Sequence, residues 1–193
     1  MDRSHGHTIG NDFLTINAVA KGSQDALKKL MDKYMPMVSR TAYRILCDRP
    51  ESEDVTQEVF VKIWRNASKY DEKRCGASAW IYRITCNLCY DRLRKRRLLN
   101  LIGISPAETS YKDEPSASSP EEDLINRERW KMICKISAGL SPKQRIIFTL
   151  RELEGRSVNE VAEITGMPAN NIKSNLHLAK KRIMTELERY ETE

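Results

Sequence analysis

A helix-turn-helix pattern near the carboxyl end constrains the fold more than any other stretch of this sequence. Residues 157–183 read SVNEVAEITGMPANNIKSNLHLAKKRI. Ser157 and Glu160 have the spacing of a capping box, in which each side chain satisfies an otherwise unpaired amide at a helix start. Gly166 can adopt the left-handed conformation that ends a helix, and Pro168 fixes a backbone angle suited to starting the next one. The pattern predicts two helices joined by a tight turn.

The second of these helices has an apolar face and an opposite face that is polar and basic. Apolar residues recur at helical spacing from Ile172 to Leu187, which predicts a buried seam. Lys173, His177 and Lys180 recur at the same period on the other side. Such a face is either the solvated side of an ordinary helix or a surface that binds phosphates and base edges, and the helix-turn-helix spacing favours DNA. The residues predicted to contact DNA are Asn170, Lys173, Ser174, His177, Lys180 and Lys181.

The composition favours a polyanionic partner. The chain has 193 residues with 33 basic and 27 acidic side chains, and its formal net charge is +6. No apolar run is long enough to span a bilayer, and the amino terminus lacks the apolar core of a signal peptide. We therefore expect a cytoplasmic protein without membrane insertion.

The order of helical patterns divides the chain into two small domains. A disordered tail is expected at residues 1–10 and a helical domain at residues 11–99. Residues 100–123 are rich in serine, proline and acidic side chains, which predicts a flexible acidic linker. A second helical domain, at residues 124–193, contains the helix-turn-helix. No stretch shows the alternation of a strand, so the predicted fold is all-α, with two small helical domains joined by a flexible linker.

A helix predicted at residues 52–66, after a turn at residues 48–51, has an outward face suited to a protein partner. That face combines acidic, amide and apolar side chains: Asp54, Gln57, Glu58 and Val61. A solvated surface would show a similar pattern. The sequence alone therefore leaves both interpretations open.

A longer helix, ending near Arg97, has a basic stripe with a planar amide and an aromatic ring between the charges. Arg83, Asn87, Tyr90 and Arg94 recur at helical spacing along one face. Basic groups can neutralise phosphates, while planar groups stack on or hydrogen-bond to unpaired bases. Basic residues also commonly stabilise a helix carboxyl end, which is the alternative explanation.

The five cysteines fall mostly within apolar helical patterns, so we expect reduced thiols that act as small core residues. Cys86 and Cys89 form a CxxC motif, which could be a redox pair or half of a metal site. The motif lies in the middle of a predicted helix and no second pair is near, so packing is the favoured role. His5 and His7 lie in the predicted tail. The sequence therefore predicts no metal site and no cofactor.

Three segments together resemble a known family. They are residues 53–66 (EDVTQEVFVKIWRN), residues 79–97 (AWIYRITCNLCYDRLRKRR) and residues 140–183, which include the helix-turn-helix. In this order and spacing they resemble bacterial RNA polymerase sigma factors of the extracytoplasmic-function (ECF, group IV) class, in the sigma-70 family. The resemblance implies a sigma2-like bundle and a sigma4-like helix-turn-helix domain. It also implies a non-enzymatic subunit without catalytic residues, which binds core polymerase and directs promoter-specific initiation.

The resemblance implies partners and site residues. The helix at residues 53–66 would dock on the beta-prime clamp helices, with Asp54, Gln57, Glu58 and Val61 as contacts, and the second domain would meet the beta flap. The helix-turn-helix would read the minus-thirty-five element in duplex DNA, and the linker would follow the RNA exit path. An anti-sigma factor or another recruiter controls many relatives. The residues expected to melt and hold the single-stranded minus-ten element are Lys62, Asn66, Lys69, Tyr70, Arg83, Ile84, Asn87, Tyr90 and Arg94.

Two other functions remain open at this point. A stand-alone helix-turn-helix regulator would bind duplex DNA tightly without polymerase and would have no role in strand opening. A thiol-redox enzyme would use Cys86 and Cys89. The stripe suited to single strands argues against the first, and the position of the CxxC motif within a helix argues against the second.

Overall fold

The computed structural model describes residues 5–103 and 120–191, and within these ranges it contains helices and no strand. The all-α prediction is thus confirmed for the described residues. The amino-terminal unit comprises α1 (His5–Ala20), α2 (Gln24–Leu46), α3 (Arg49–Asn66), a short 3-10 turn (Ala67–Lys69) and α4 (Ala77–Leu101). The carboxyl-terminal unit comprises α5 (Pro120–Ser137), α6 (Pro142–Phe148), a π-helical turn (Thr149–Leu153), α7 (Val158–Thr165) and α8 (Ala169–Glu191).

Helix α1 begins at His5, inside the segment predicted to be a disordered tail. Asp12 of α1 contacts the next helix. Its carboxylate accepts hydrogen bonds of 2.6 Å from both Lys33 Nζ and Tyr34 Oη of α2. Burial and this hydrogen bond raise the pKa of the Tyr34 phenol well above its ordinary value. Asp12 therefore fixes α1 to α2 and does not start a helix.

Helix α3 begins earlier than the sequence suggested. Residues 48–51 were predicted to form a turn, and that prediction is wrong because Asp48 caps the helix. Its carboxylate accepts a 2.9 Å hydrogen bond from the Glu51 amide. Pro50 fits the first turn because the amides there have no partner within the helix. The helix therefore gains almost one turn at its amino end.

The core of the amino-terminal unit forms where α2 packs against α3 and α4. Buried apolar side chains recur at helical spacing on the facing sides, as the periodicity predicted. Removing such side chains from water supplies most of the stabilisation of a small helical unit. The fully buried positions include Val38, Ala42, Ile45, Val55, Val59, Ile63 and Ile81.

The capping box predicted at Ser157 is present in the carboxyl-terminal unit, and a second one precedes it. Ser141 with Gln144 starts α6, and Ser157 with Glu160 starts α7. Gly166 ends α7 with a φ of 71°, a conformation that side chains with a Cβ rarely adopt. Local chemistry thus fixes the helix-turn-helix as the sequence predicted.

The capping box of α7 gives a testable pH dependence. Hydrogen bonds from the Ser157 amide and from Arg156 lower the pKa of Glu160 to about 2. Because the folded-state pKa is lowered, the stabilisation is present above the unfolded pKa of about 4.3 and is lost as the pH falls towards 2. Glu160→Gln should reduce the free energy of unfolding by up to about 1 kcal/mol at pH 7, since the carboxylate is partly exposed. In thermal unfolding from pH 7 to 2, the difference between the two proteins should shrink, and a constant difference would contradict the charge-based explanation.

The two units pack against each other. Arg44 of α2 donates hydrogen bonds of 2.8 Å to the Leu153 carbonyl oxygen and 2.9 Å to Glu154 Oε1. The apolar core continues from α4 into α6 and α7. The predicted linker at residues 100–123 lies mainly outside the described residues, and its ends belong to α4 and α5.

A disulfide bond between Cys47 and Cys134 joins the units. The prediction that all the cysteines are reduced is therefore wrong for this pair. Cys75, Cys86 and Cys89 are free and buried, as expected. The pair is separated by 87 residues in sequence, so only the packing of the two units brings the sulfurs together.

Candidate nucleic-acid and protein interfaces

Helix α8 exposes the predicted DNA-binding residues on one face. Ile172 and Ala179 are fully buried against the rest of the carboxyl-terminal unit, so the opposite side faces solvent. Sequence reasoning missed Glu152, whose carboxylate lies 3.0 Å from Lys180 Nζ and orients that lysine. No local signal could have revealed this ion pair, because the partners lie on different elements. The exposed residues, called the α8 face below, are Asn170, Lys173, Ser174, His177, Lys180 and Lys181.

The turn before α8 holds that helix in a defined orientation. Val161 and Ile164 of α7 are buried. The Thr165 hydroxyl oxygen accepts a 3.2 Å hydrogen bond from the Met167 amide, which fixes the chain between the helices. Gly166 provides the change in direction. The α8 face is therefore presented by a rigid support, as a groove-reading helix requires.

An apolar groove runs between α2 and α3 and has a volume of about 580 Å³. Val61 and Gln57, both predicted to contact a protein partner, line this groove, and Val61 is 46% exposed. Asp54 is exposed on the same helix but does not line the groove. Sequence reasoning missed the α2 side of this groove, because its residues meet α3 only in the folded structure. The apolar side chains of the groove are Leu27, Met31, Met35, Phe60, Val61 and Trp64.

Glu58, the fourth residue predicted for a protein interface, has a structural partner. Arg92 Nη2 of α4 lies 3.0 Å from Glu58 Oε2. The Lys62 amine approaches the other carboxylate oxygen at 4.0 Å. Glu58 thus links α3 to α4 in addition to lying on the outward face. A variant at Glu58 would change both the helix packing and the surface.

Helices α3 and α4, which carry most of the predicted minus-ten residues, pack side by side. Contacts of Glu58 with Arg92 and of Tyr70 with Trp80 show that the two helices run antiparallel. This register places Lys62 and Asn66 level with the middle of α4. There Asn87 and Arg94 are exposed, while Ile84 and Tyr90 are half-buried. The structure therefore brings the predicted residues of the two helices to one region.

Tyr70 is part of the support for this region. Its ring centroid lies 5.1 Å from that of Trp80 and 6.5 Å from that of Phe13. Its hydroxyl donates a 3.2 Å hydrogen bond to the Cys75 carbonyl oxygen, and burial raises its pKa to about 12. Lys69, by contrast, is exposed beside it. Tyr70 therefore shapes the loop before α4 and keeps one ring edge at the surface.

Arg83 contacts the helix-turn-helix. Its Nε donates a 3.2 Å hydrogen bond to the Ile164 carbonyl oxygen, and its Nη2 donates to the Glu163 carbonyl oxygen. These are carbonyl groups at the carboxyl end of α7, where a cation is favourable. DNA binding by Arg83 would require these bonds to break. The sequence did not reveal this contact, because the partners are some 80 residues apart.

The CxxC thiols of Cys86 and Cys89 are buried in the structure. Burial raises the pKa of Cys86 to about 12 and raises that of Cys89 well above its ordinary value. A thiol with a raised pKa is mostly protonated near neutral pH and is therefore a weak nucleophile, which argues against a redox role for the CxxC motif. Among the residues whose side chains are described, no cluster of three metal-ligating groups occurs. No described helix is long and apolar enough to cross a membrane.

Comparison with known families matches both units. The family Sigma-70 region 2 matches residues 30–98, which fall in α2 to α4. The family Sigma-70, region 4 matches residues 135–183, from the end of α5 through most of α8. The two matches thus contain most of the groove, the α4 stripe (Arg83, Asn87, Tyr90 and Arg94) and the α8 face.

Individual relatives match almost the whole chain. The ECF RNA polymerase sigma factor SigW of Bacillus subtilis (strain 168) is 29% identical over 177 residues, which is 89% of this chain and 94% of the relative. The ECF RNA polymerase sigma-E factor of Escherichia coli (strain K12) is 27% identical over 180 residues, covering 89% and 92%.

Solved structures show the same fold. The structure of CnrH in complex with the cytosolic domain of CnrY has a TM-score of 0.65 at 18% identity, covering 92% of this chain and 97% of that one. The sigma factor RpoE of Bartonella quintana, in complex with the anti-sigma factor NepR, has a TM-score of 0.64 at 22% identity, covering 83% and 96%. From both domain matches and these relatives, the chain belongs to the ECF class of sigma factors, non-catalytic initiation factors that direct transcription by RNA polymerase.

Proposed function

We propose that this sigma factor binds core polymerase through the α2–α3 groove and recognises two promoter elements. Its amino-terminal unit would melt and hold the minus-ten element, and its carboxyl-terminal unit would read the minus-thirty-five element. The observation that carries this proposal is the α8 face, which is exposed while the opposite side of the helix is buried. A second DNA surface at α4 distinguishes the proposal from a stand-alone duplex-binding regulator.

The α8 face has residues placed for base-edge contacts and other residues placed for phosphate contacts. Lys173, Ser174 and His177 lie near the amino end of α8, where a recognition helix contacts base edges. Lys180 and Lys181 lie further along and suit phosphates, which position the protein without reading sequence. Glu152 limits the freedom of the Lys180 side chain. The proposed specificity therefore depends mainly on the first two turns of α8.

The region where α3 meets α4 supports recognition of unpaired bases. Asn87 offers a planar amide at the surface, with the half-buried ring of Tyr90 beside it. Lys62, Lys69 and Arg94 supply positive charge around these planar groups. Taking a base out of the stack costs a few kcal/mol, and a surface that binds the unstacked base offsets that cost. Promoter melting is thereby coupled to recognition.

Asn87→Ala should slow open-complex formation about tenfold on a promoter that the parent protein melts, because a hydrogen bond to an extruded base is lost. Since Asn87 is exposed, the free energy of unfolding should change by less than about 0.5 kcal/mol. Fluorescence of 2-aminopurine in the minus-ten element measures melting. Asp91→Asn, one turn further along α4, is the matched control and should melt DNA like the parent. An unaltered melting rate for Asn87→Ala would remove this residue from the site.

The same comparison supports a proposal about regulation by a protein partner. The RpoE structure is a complex with an anti-sigma factor, and CnrH was solved with the cytosolic domain of CnrY. We propose an anti-sigma factor or another recruiter as the regulatory partner of this chain. The acidic linker, largely outside the described residues, stays a proposed occupant of the RNA exit path.

Start-site mapping tests the proposed function. After overexpression, sequenced transcripts should show new start sites that share one sequence about 10 and one about 35 base pairs upstream. A variant lacking the α8 face, with Lys173 and His177 both changed to alanine, should lose these start sites. New transcripts without a shared upstream pair of elements would contradict the proposal.

A further inference from the structure

The disulfide bond lies at the interface between the two units. Cys47 is the residue that ends α2, and Cys134 belongs to α5, with their Cα atoms 5.6 Å apart. The two side chains are 3% and 1% exposed. This bond therefore connects the proposed minus-ten unit covalently to the proposed minus-thirty-five unit.

Non-covalent contacts around the bond hold the same closed arrangement. The rings of Tyr43 and Trp130 lie next to the bond, with centroids 5.6 Å apart. Further along, the guanidinium of Arg156 lies 4.8 Å from the ring centroid of Tyr82. Glu154 is 4% exposed and pairs with Arg44 at 2.9 Å. None of these contacts involves a sulfur atom, so they would also favour the closed arrangement when the two thiols are reduced.

The closed arrangement is too small to reach both promoter elements. Some 25 base pairs separate the minus-ten and minus-thirty-five elements, about 85 Å at ~3.4 Å per base pair. A compact chain of this length is only about 40 Å across. The two units must therefore separate before they can contact both elements. Separation also releases Arg83, whose donors are occupied by α7 in the closed arrangement.

We propose that Cys47 and Cys134 form a redox-modification site, at which a peroxide joins the two thiols and holds this sigma factor in a closed, inactive arrangement. The proposal rests on the proposed function, since inactivity means failure to engage two promoter elements at once. A thiol reductant reverses it. The site differs from the CxxC motif, which lies within α4.

The chemistry is a balanced two-electron oxidation. One cysteine thiolate attacks a peroxide oxygen, so that an S–O bond forms, the O–O bond breaks and one water leaves, giving a sulfenic acid. The second thiol attacks that sulfur, an S–S bond forms, and the sulfenic oxygen leaves as a second water. Two thiols and one hydrogen peroxide thus become one disulfide and two waters. Two thiols of a reductant return the pair to the reduced state by exchange.

The site is selective within this chain. Cys86 and Cys89 belong to the same helix, so a bond between them could not hold the two units together. Cys47 and Cys134 lie at the interface itself, so separation gives a peroxide access to both sulfurs. Burial also raises the pKa of the Cys75, Cys86 and Cys89 thiols, so a smaller fraction of each is the nucleophilic thiolate.

The test compares the full-length protein after reduction with dithiothreitol and after oxidation with hydrogen peroxide. Mass spectrometry of peptides should show the Cys47–Cys134 link only after oxidation. Small-angle scattering should give a larger radius of gyration for the reduced protein.

The functional readout is transcription with core polymerase. It should fall at least about tenfold on oxidation and recover on reduction, because fewer than about one oxidised molecule in ten would have its two units separated. Cys47→Ser and Cys134→Ser should stay active under peroxide.

Cys75→Ser is the matched control, and it should respond to peroxide like the parent protein. Absence of the link after oxidation would overturn the proposal, as would a linked protein as active as the reduced one. If the reduced protein initiates at no promoter, the proposed function fails. In that case, mass spectrometry and small-angle scattering still test whether the disulfide holds the two units together. Equal radii of gyration for the oxidised and reduced proteins would contradict that part of the proposal.

Discussion

Val61→Glu should lower the affinity for core polymerase by about 2–4 kcal/mol, or roughly 30- to 800-fold. Val61 is 46% exposed in the apolar α2–α3 groove, so a partner that fills the groove would bury the new carboxylate without a counter-charge. The same exposure lets the free protein keep the carboxylate in water, and the fold should be retained. Fluorescence anisotropy of the labelled protein, titrated with core enzyme, measures the change.

A matched control separates the groove from a general effect of charge. Leu14 of α1 is 65% exposed and does not line the groove. Leu14→Glu adds the same charge to an exposed apolar position and should bind core enzyme like the parent. Equal affinities for Val61→Glu and the parent would show that polymerase uses another surface.

Changes on the α8 face should alter base preference at the minus-thirty-five element. Lys173→Ala or His177→Ala should reduce discrimination by about 1–3 kcal/mol at one or two base pairs, because a base-edge contact is lost. Both residues are exposed, and neither has a hydrogen bond or ion pair within the described part of the chain, so stability should change little. Competition binding to duplexes with single base substitutions measures the preference.

Lys181→Ala is the comparison for this prediction. Because a phosphate contact does not depend on base sequence, Lys181→Ala should lower the affinity for every duplex equally. The slope of log affinity against log salt concentration should become shallower by about one unit. Equal losses on all duplexes for Lys173→Ala and His177→Ala would assign those residues to phosphates as well. The minus-thirty-five preference would then have to come from other residues of the α8 face.

Features that depend on local chemistry could be predicted from the sequence. The capping box at Ser157 and the turn at Gly166 each need only four or five neighbouring residues, and both were found as expected. The exposed α8 face follows from a period that the helix itself imposes. The start of α3 was missed because the segment around Pro50 reads as a turn, and the cap formed by Asp48 decided the outcome.

Features that depend on packing could not be predicted. The ion pair of Glu58 with Arg92 and the contact of Arg83 with α7 join residues from different helices, and in the second case from different units. The Cys47–Cys134 bond depends on the same packing. The sequence suggested two tethered units, whereas the structure shows an interface that occupies part of the α4 stripe.

The interface between the units occupies Arg83 but leaves the other two proposed binding surfaces exposed. In the closed arrangement Arg83 binds backbone carbonyl groups of α7, while the α8 face and the α2–α3 groove stay exposed. Polymerase could therefore bind the groove before the units separate. Binding energy at the groove and at the two promoter elements would then favour the open arrangement, since a ligand shifts an equilibrium by its difference in affinity for the two states.

The most direct test of the central claim is transcription in a purified system. The reduced protein is mixed with core RNA polymerase and with a template carrying a start site mapped after overexpression. We expect transcripts from that start site only when both proteins are present, and their loss when either the minus-ten or the minus-thirty-five element is replaced. Failure of the reduced protein to direct initiation from any mapped site would contradict the account.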